Sequence, residues 1–405
     1  MVLVPRGRKA GFGGALRVSA RTRREAAPVE DASISRPIHN YHERFKAMKR
    51  NHTKPSHTSI FRVQCPRFGI LLTLSLLLPT VLMPRAANAA ELRAVRDGRY
   101  LNLSWEAPDG KLQEASTPNG PWQTVTTAVC PYRTATAYPQ RFYRLILPAP
   151  GKKWLTVAAV TMTSQTNTEA NLQTFFSYME RAASNRVDLI VFPEVALQGC
   201  PGWRENSTPP SVQEMAYTRQ TAETIPGQST SNVVAKAQEL NLFVVFGMTE
   251  KDQAGRLYNA NVFLGPAGVI GKHRKTFHVG NDGSIWSLSS GFEVLDSPLC
   301  KIGLMICAEM ALYPGPGLAG QGADLLVSSS AWWTIYSSNY EAVTVGNAVQ
   351  SKRWHVVSQQ VGTVGHAQVY GHSRVVDPKG KAVCDTGATE GLVMWATDIL
   401  IDARR

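Results

Sequence analysis

Cysteine is scarce in this chain, with six in 405 residues, and no two of them form a Cys-x-x-Cys pair. That excludes a disulfide-stapled miniature domain and a zinc ribbon. The histidines at 273, 278, 355, 366 and 372 follow no chelating period, so no metal is implied. No glycine-rich phosphate loop precedes a helix, so no nucleotide cofactor is implied either. No apolar run reaches the length of a membrane span: Phe68 to Met83 is interrupted by Gly69, Thr73, Ser75 and Pro79. Acidic residues are what the N-terminal end lacks. Residues 1–90 hold 16 Lys and Arg against 4 Asp and Glu, so of the formal +13 only +1 belongs to the remaining 315 residues. The body of the protein is nearly neutral, so its charge says nothing about partners, and no nucleic acid is expected.

The basic stretch, the short apolar run and Ala87-Asn88-Ala89 read together as a secretory signal cleaved after Ala89, delivering the chain to the periplasm or the exterior. An uncleaved N-terminal membrane anchor is the alternative. The leader is unusually long, and a start at Met48 would shorten it to ordinary size. Residues 1–89 are therefore assigned to leader and signal, with the apolar core at 68–83. Five cysteines would survive cleavage, and an odd number in an exported chain leaves at least one thiol free.

Residues 90–150 have the texture of a small all-β module. Tyr100 to Trp105 alternates polar and apolar residues, as do Lys111 to Ala115 and Trp122 to Thr126, and Arg141 to Leu147 closes the series. Pro108-Asp109-Gly110 and Pro118-Asn119-Gly120 supply turn chemistry. From 151 to 405 strands alternate with helices. Trp154 to Val160, Leu242 to Met248, Asn261 to Leu264, Leu325 to Ser328 and His355 to Ser358 read as strands. Thr168 to Ala183 and Val233 to Leu240 read as helices, the first with apolar residues at Leu172, Phe175, Phe176 and Met179. The alternation predicts an α/β fold.

Three chemistry-bearing residues each follow an apolar run. Lys301-Ile-Gly-Leu-Met-Ile-Cys307-Ala-Glu309 delivers a thiol, Asp188-Leu-Ile-Val-Phe-Pro-Glu194 a carboxylate, and Gly268-Val-Ile-Gly-Lys-His-Arg-Lys275 an amine. A rigid strand followed by a tight turn can lift such a group clear of a sheet beside unpaired backbone N–H groups. In the order Glu, Lys, Cys the chain resembles the nitrilase superfamily of carbon–nitrogen hydrolases. The pieces that carry the likeness are Phe192-Pro193-Glu194, Arg274-Lys275 and Ile306-Cys307-Ala308-Glu309. Leu257-Tyr258-Asn259, Gly322-Ala323-Asp324-Leu325, Gly346-Asn347-Ala348 and Gly371-His372-Ser373 fall in family order around them.

The resemblance implies a four-layer α-β-β-α sandwich, formed as subunits dimerise through their helical layers, and a homodimer or higher homo-oligomer. It implies hydrolysis of a non-peptide C–N bond in a small linear amide through a cysteine thioacyl intermediate. Glu194 would be the base, Lys275 the cation that lowers the thiol pKa, and Lys275 with the Ala308 N–H the oxyanion donors. A second glutamate that the family places between lysine and cysteine is replaced here by Asp282, with Glu293 the other candidate. Glu309 would support the Lys275 amine or the backbone at the turn. A nitrilase, turning a nitrile into acid and ammonia, is the alternative, although Ala308 departs from the Trp that nitrilases favour after the cysteine. A non-catalytic binding protein on the same fold is the remote reading. Trp332 and Trp333, which end an apolar strand, and Trp203 are expected to line an apolar substrate mouth.

Overall fold

The computed structural model describes residues 58–64, 92–97, 99–107, 109–125, 131–135 and 140–403. The apolar run at 68–83 and the cleavage position at Ala89 lie outside the described residues. Among those described, no helix is long and apolar enough to cross a membrane.

The β-module consists of two small sheets. Leu92–Asp97, Tyr100–Trp105 and Tyr132–Ala135 form one. The other runs Thr58–Gln64, Gln140–Ile146, Lys111–Ala115, Gln123–Thr124. Leu92, Leu101 and Leu103 from the first meet Leu112, Tyr143 and Leu145 from the second in one core. Thr58–Gln64, which lies before the expected cleavage position, pairs antiparallel with Gln140–Ile146. The Lys111 amine joins the module to the larger α/β part, donating to the carbonyls of Ala396, at 2.7 Å, and Thr397 and lying over the Trp154 ring.

From Lys152 onward the chain builds one large folded sheet. One arm runs Gly268–Arg274, Leu257–Gly265, Phe243–Lys251, Leu189–Val191, Lys152–Met162, and the other runs Trp354–Val364, Leu325–Ser330, Ile302–Ile306, Val294–Leu295. The arms join where Gln359 and Gln360 pair with Thr161 and Met162, so the two leaves can face each other. Side-chain alternation then sorts the residues. Leu189 and Val191, Val157 and Ala159, Leu325 and Val327, Ile302 and Leu304 point into the space between the leaves. Ile190, Ala158, Val160, Val244 and Phe246 point the other way, against Phe175 and Met179 of the helix Thr168–Ser184 and Val233 and Ala237 of the helix Gln228–Leu240. Leu326 and Val357 likewise meet Leu318 of Gly315–Gly320 and Tyr340 and Val343 of Ser337–Ser351.

This is the α-β-β-α sandwich, with one correction to the expectation. All four layers come from a single chain, because each leaf carries its own helices and the leaves bury their inner faces against each other. The sandwich does not wait for a second copy.

The parallel strands Leu189–Val191, Ile302–Ile306, Leu325–Ser330 and Trp354–Val364 and the strand Gly268–Arg274, which runs the same way as Phe243–Lys251 two positions along, all end at one rim. Glu194, Lys275, Cys307 and Trp332 lie just beyond those ends.

Candidate active site

Glu194 and Lys275 have no exposed surface, and Cys307 retains 5%. The carboxylate is held from three directions. Its Oε1 accepts from the Lys275 amine at 2.7 Å and from Asn259 Nδ2 at 2.8 Å, and its Oε2 accepts from the Ala331 N–H at 3.0 Å. Gln360 Nε2 donates to the Glu194 carbonyl at 2.6 Å. Burial pushes the Glu194 carboxyl above its ordinary range, Lys275 opposes that, and Asp282 adds to it.

The lysine is charged. Burial works against the ammonium, but Asp282 and Glu194 outweigh it and hold its pKa well above the ordinary value. Asp282 Oδ2 accepts from the amine at 2.9 Å, whereas Glu293 is exposed on the surface. Of the two candidates for the second carboxylate, Asp282 is therefore the one beside the amine.

Cys307 takes the left-handed backbone, φ +48°, and opens the short 3-10 turn Cys307–Leu312. A non-glycine residue there costs on the order of 1–3 kcal/mol, and the surroundings must impose it. Glu309 imposes it. Its Oε2 accepts from the Ile306 N–H at 2.6 Å and is 2.8 Å from His273 Nε2. Its Oε1 accepts from the Thr276 N–H at 2.6 Å and hydroxyl at 2.7 Å. Of the two supporting roles expected for Glu309, the backbone one is present. It ties the turn that holds Cys307 to residues flanking Lys275 rather than touching the amine. His273 stands in the run that delivers Lys275 and makes a buried hydrogen bond, whereas Thr276 had no signal in the sequence.

Glu194 and Lys275 both act on the Cys307 thiol through their charge. Burial, reinforced by Glu194 and opposed by Lys275, pushes the thiol above its ordinary range. The resting pair is therefore a neutral thiol beside a buried carboxylate. Ala308 follows at the start of the turn, where the first N–H groups have no partner within the helix.

The tryptophans separate. Trp332 groups with Met305, Ile306, Cys307 and Tyr340, and Trp333 groups with Trp203 and Trp286. Trp203 corrects the expectation of a pocket wall. It is fully buried, and its indole N–H donates to Asp282 Oδ1 at 2.8 Å. A ring packed behind the lysine and committed to its carboxylate cannot face an entrance. Cys200 and Cys384 are free thiols, like Cys307, and burial raises the Cys384 thiol to about 12. Among the described residues no group of three or more His, Cys, Asp or Glu side chains could hold a metal ion.

A thiol, a carboxylate and a charged amine therefore converge at the rim of an α-β-β-α sandwich. The family model for carbon–nitrogen hydrolase matches residues 156–400, and the chain belongs to that family. A Schizosaccharomyces pombe protein described as a "Probable nitrilase" is 27% identical over 234 residues, covering 56% of this chain and 83% of the relative. The omega-amidase NIT2 of Bos taurus is 31% identical over 191 residues, covering 44% and 69%. Among solved structures, Saccharomyces cerevisiae Nit3, a member of branch 10 of the nitrilase superfamily, superposes with a TM-score of 0.53 at 23% identity, covering 63% of this chain and 92% of that one.

Proposed function

We propose that the protein is an exported amidase that hydrolyses a small linear amide through a thioester on Cys307, with Glu194 as base and Lys275 as oxyanion donor. The observation that carries this reading is the bonding of Lys275, whose amine is 2.7 Å from Glu194 and 2.9 Å from Asp282 in a fully buried position. A scaffold gains nothing from burying such a group, because desolvation of the charges is not repaid by packing.

In the reaction Glu194 accepts the Cys307 proton as sulfur bonds to the amide carbon. The carbonyl oxygen becomes an oxyanion held by Lys275 and the Ala308 N–H. Collapse breaks the C–N bond, Glu194 returns the proton to nitrogen, and ammonia or an amine leaves a thioester. Glu194 then takes a proton from water, hydroxide adds to the thioester, and the thiolate leaves, is reprotonated and releases the acid. Asp282 and Glu309 hold Lys275 and the turn at Cys307 in place.

The amide reading is favoured over a nitrile by Ala308; identity does not separate the two, with an omega-amidase at 31% and an aliphatic nitrilase at 30%. Glu194, Lys275 and Asp282 are the fixed charges, so an uncharged substrate with a modest apolar acyl group suits the site. Ammonia release from C2–C5 aliphatic amides and the matching nitriles decides between them. Turnover confined to nitriles would replace the amidase reading, and turnover of neither would remove both. Export rests on the sequence signal, and an intact mass beginning at Ala90 supports it. A mature chain that keeps Thr58–Gln64 paired in the β-module would overturn it. The reading includes a homo-oligomer, in keeping with the exposed Leu312, Tyr313, Ile335 and Tyr336. Light scattering that returns the mass of a monomer would remove that part.

A further inference from the structure

We infer that Trp203 is a positioning residue for the Lys275 amine, acting through Asp282; the inference rests on the oxyanion role proposed for Lys275. An ammonium has three N–H donors. One goes to Glu194 Oε1 and one to Asp282 Oδ2, and the third is available to a developing oxyanion. Two anchors set the direction of the third only when both are immobile. Glu194 is immobilised by Asn259 and Ala331. Asp282 is one methylene shorter than the glutamate it replaces and sits in the short turn Asp282–Ser284, so its position depends on what grips its other oxygen and its loop.

Trp203 grips that oxygen, its indole N–H reaching Oδ1 at 2.8 Å. The ring is itself fixed edge-on against Trp286 and Trp333, with centroids 5.8 and 6.5 Å away, and its face lies 5.8 Å from the Lys275 amine. The two loops are also latched through the residues beside this pair. Asn281 Nδ2 donates to the carbonyls of Gly202 at 2.7 Å and Thr208 at 3.1 Å, while its Oδ1 accepts from the Arg204 N–H at 3.0 Å. Gly280 makes the approach possible. Its φ is +54°, and a Cβ there would lie 2.3 Å from the Trp333 ring and 2.5 Å from the Arg204 carbonyl. The short carboxylate reaches the amine at 2.9 Å with its loop packed this closely, and the indole closes the far side.

Direction of a donor toward an oxyanion is felt in the transition state more than in the bound substrate, so kcat should fall while KM holds. The test uses the full chain and the C2–C5 amide that wild type turns over fastest. Trp203→Phe keeps the apolar bulk and removes the N–H; kcat should drop about tenfold with KM within about twofold. Asp282→Ala should drop kcat about a hundredfold, and Trp203→Phe combined with Asp282→Ala should be no worse than Asp282→Ala alone, within about twofold, because the indole acts only through the carboxylate. Losses that multiply in the double variant, or a wild-type kcat for Trp203→Phe, would overturn the inference. A second variant does not depend on Trp203→Phe folding. Asp282→Glu installs the usual family residue, yet it should lower kcat about tenfold, since the indole occupies the space of the added methylene; unchanged or improved turnover would overturn the inference. Cys307→Ala is measured alongside. Residual wild-type turnover there removes the underlying mechanism, whereas a silent Cys307→Ala with multiplicative losses removes only the role of Trp203.

Discussion

Glu194 and Cys307 stand beyond parallel strands in opposite leaves, and both turns force a non-glycine residue into left-handed backbone, Val195 at φ +50° and Cys307 at +48°. The turns are completed differently. At the first, every oxygen of the side chain is occupied by a donor and the backbone is clamped by a neighbouring strand. At the second, the turn is held from behind by Glu309 while Cys307 as a residue keeps a sliver of exposure. The difference separates two requirements of the proposed chemistry. A general base must be held so that its proton affinity is set by fixed neighbours, whereas a nucleophile must approach a substrate atom from a rigid platform.

The largest effect should come from breaking the comparison at the atoms themselves. Cys307→Ala removes the attacking sulfur and should lower turnover at least about a thousandfold with the fold intact, as should Glu194→Gln, which keeps the shape and loses the base. Ammonia release together with a thermal melt checks both, and a Cys307→Ala protein as active as wild type would sink the mechanism. The pH dependence follows from the same carboxylate. Because burial raises the Glu194 pKa, the ionised base is lost on acidification earlier than an ordinary carboxylate would be. The acid limb of kcat/KM should therefore lie above the ordinary value of 4.5. An acid limb at or below that value would show that the base is another group.

The clamp on the first turn is steric, so it can be tested without touching charge. Gly247 lies on the strand Phe243–Lys251, and a Cβ there would be 2.5 Å from the Val195 nitrogen and 2.6 Å from the Glu194 Cα. Both neighbours are backbone and cannot swing away. Gly247→Ala should cost about 1–3 kcal/mol of stability and displace the base enough to lower kcat about tenfold. A melt and a rate unchanged from wild type would mean that the turn at Glu194 is more yielding than the turn at Cys307.

The clamp on the second turn is electrostatic. Glu309→Gln leaves a single acceptor oxygen for the Ile306 and Thr276 donors, so at least one buried N–H loses its partner, at about 1–3 kcal/mol. Turnover should fall by roughly tenfold as the Cys307 turn and the Lys275 strand lose register. Stability carries a sign of its own. Burial opposes the Glu309 charge, but His273 and Thr276 outweigh it and lower the pKa below 4.5. Its stabilisation is therefore complete above the unfolded value and disappears as pH falls through the lower folded value. The wild type should lose more stability on acidification than Glu309→Gln does; equal losses in denaturant melts at several pH values would contradict the clamp.

The ends of the strands were legible because an apolar run that stops at a reactive side chain is a local signal, and Glu194, Lys275 and Cys307 each have one. The helix Ser337–Ser351 was not, since Thr344, Gly346 and Asn347 dilute its apolar stripe. The helix Val212–Thr221 buries only Thr218 and so shows no stripe at all; its Ser211 and Glu214 capping box was the one cue available. That one chain supplies all four layers could not be read from alternation, which gives faces without saying what covers them. Asp282 could be proposed from the family resemblance, but the choice against Glu293 depends on a loop path. Trp203 was misread because a sequence shows an aromatic ring near a catalytic motif and does not show where its N–H points.

The smallest expected effect concerns the pair Trp332 and Trp333, neighbours in sequence that extended backbone sends to opposite sides. Trp332 is fixed by its N–H groups, the main-chain one donating to Gln359 Oε1 at 2.7 Å and the indole to the Tyr336 carbonyl at 2.8 Å, and its ring shares a cluster with Cys307. Trp333 packs toward Trp203 on the side of the base and the lysine. If the acyl group lies beside the nucleophile, only Trp332 can limit its length. Trp332→Phe removes part of a ring and spares the fold, and it should shift kcat/KM toward the longer amides of a C2–C5 series by about fourfold. That corresponds to roughly one additional methylene buried, at about 0.8 kcal/mol. Trp333→Phe should leave the ratio of long to short amides within about twofold, although kcat itself can fall through its contact with Trp203. A chain-length shift in Trp333→Phe and none in Trp332→Phe would place the acyl group on the side of Glu194 and reverse the orientation of the substrate.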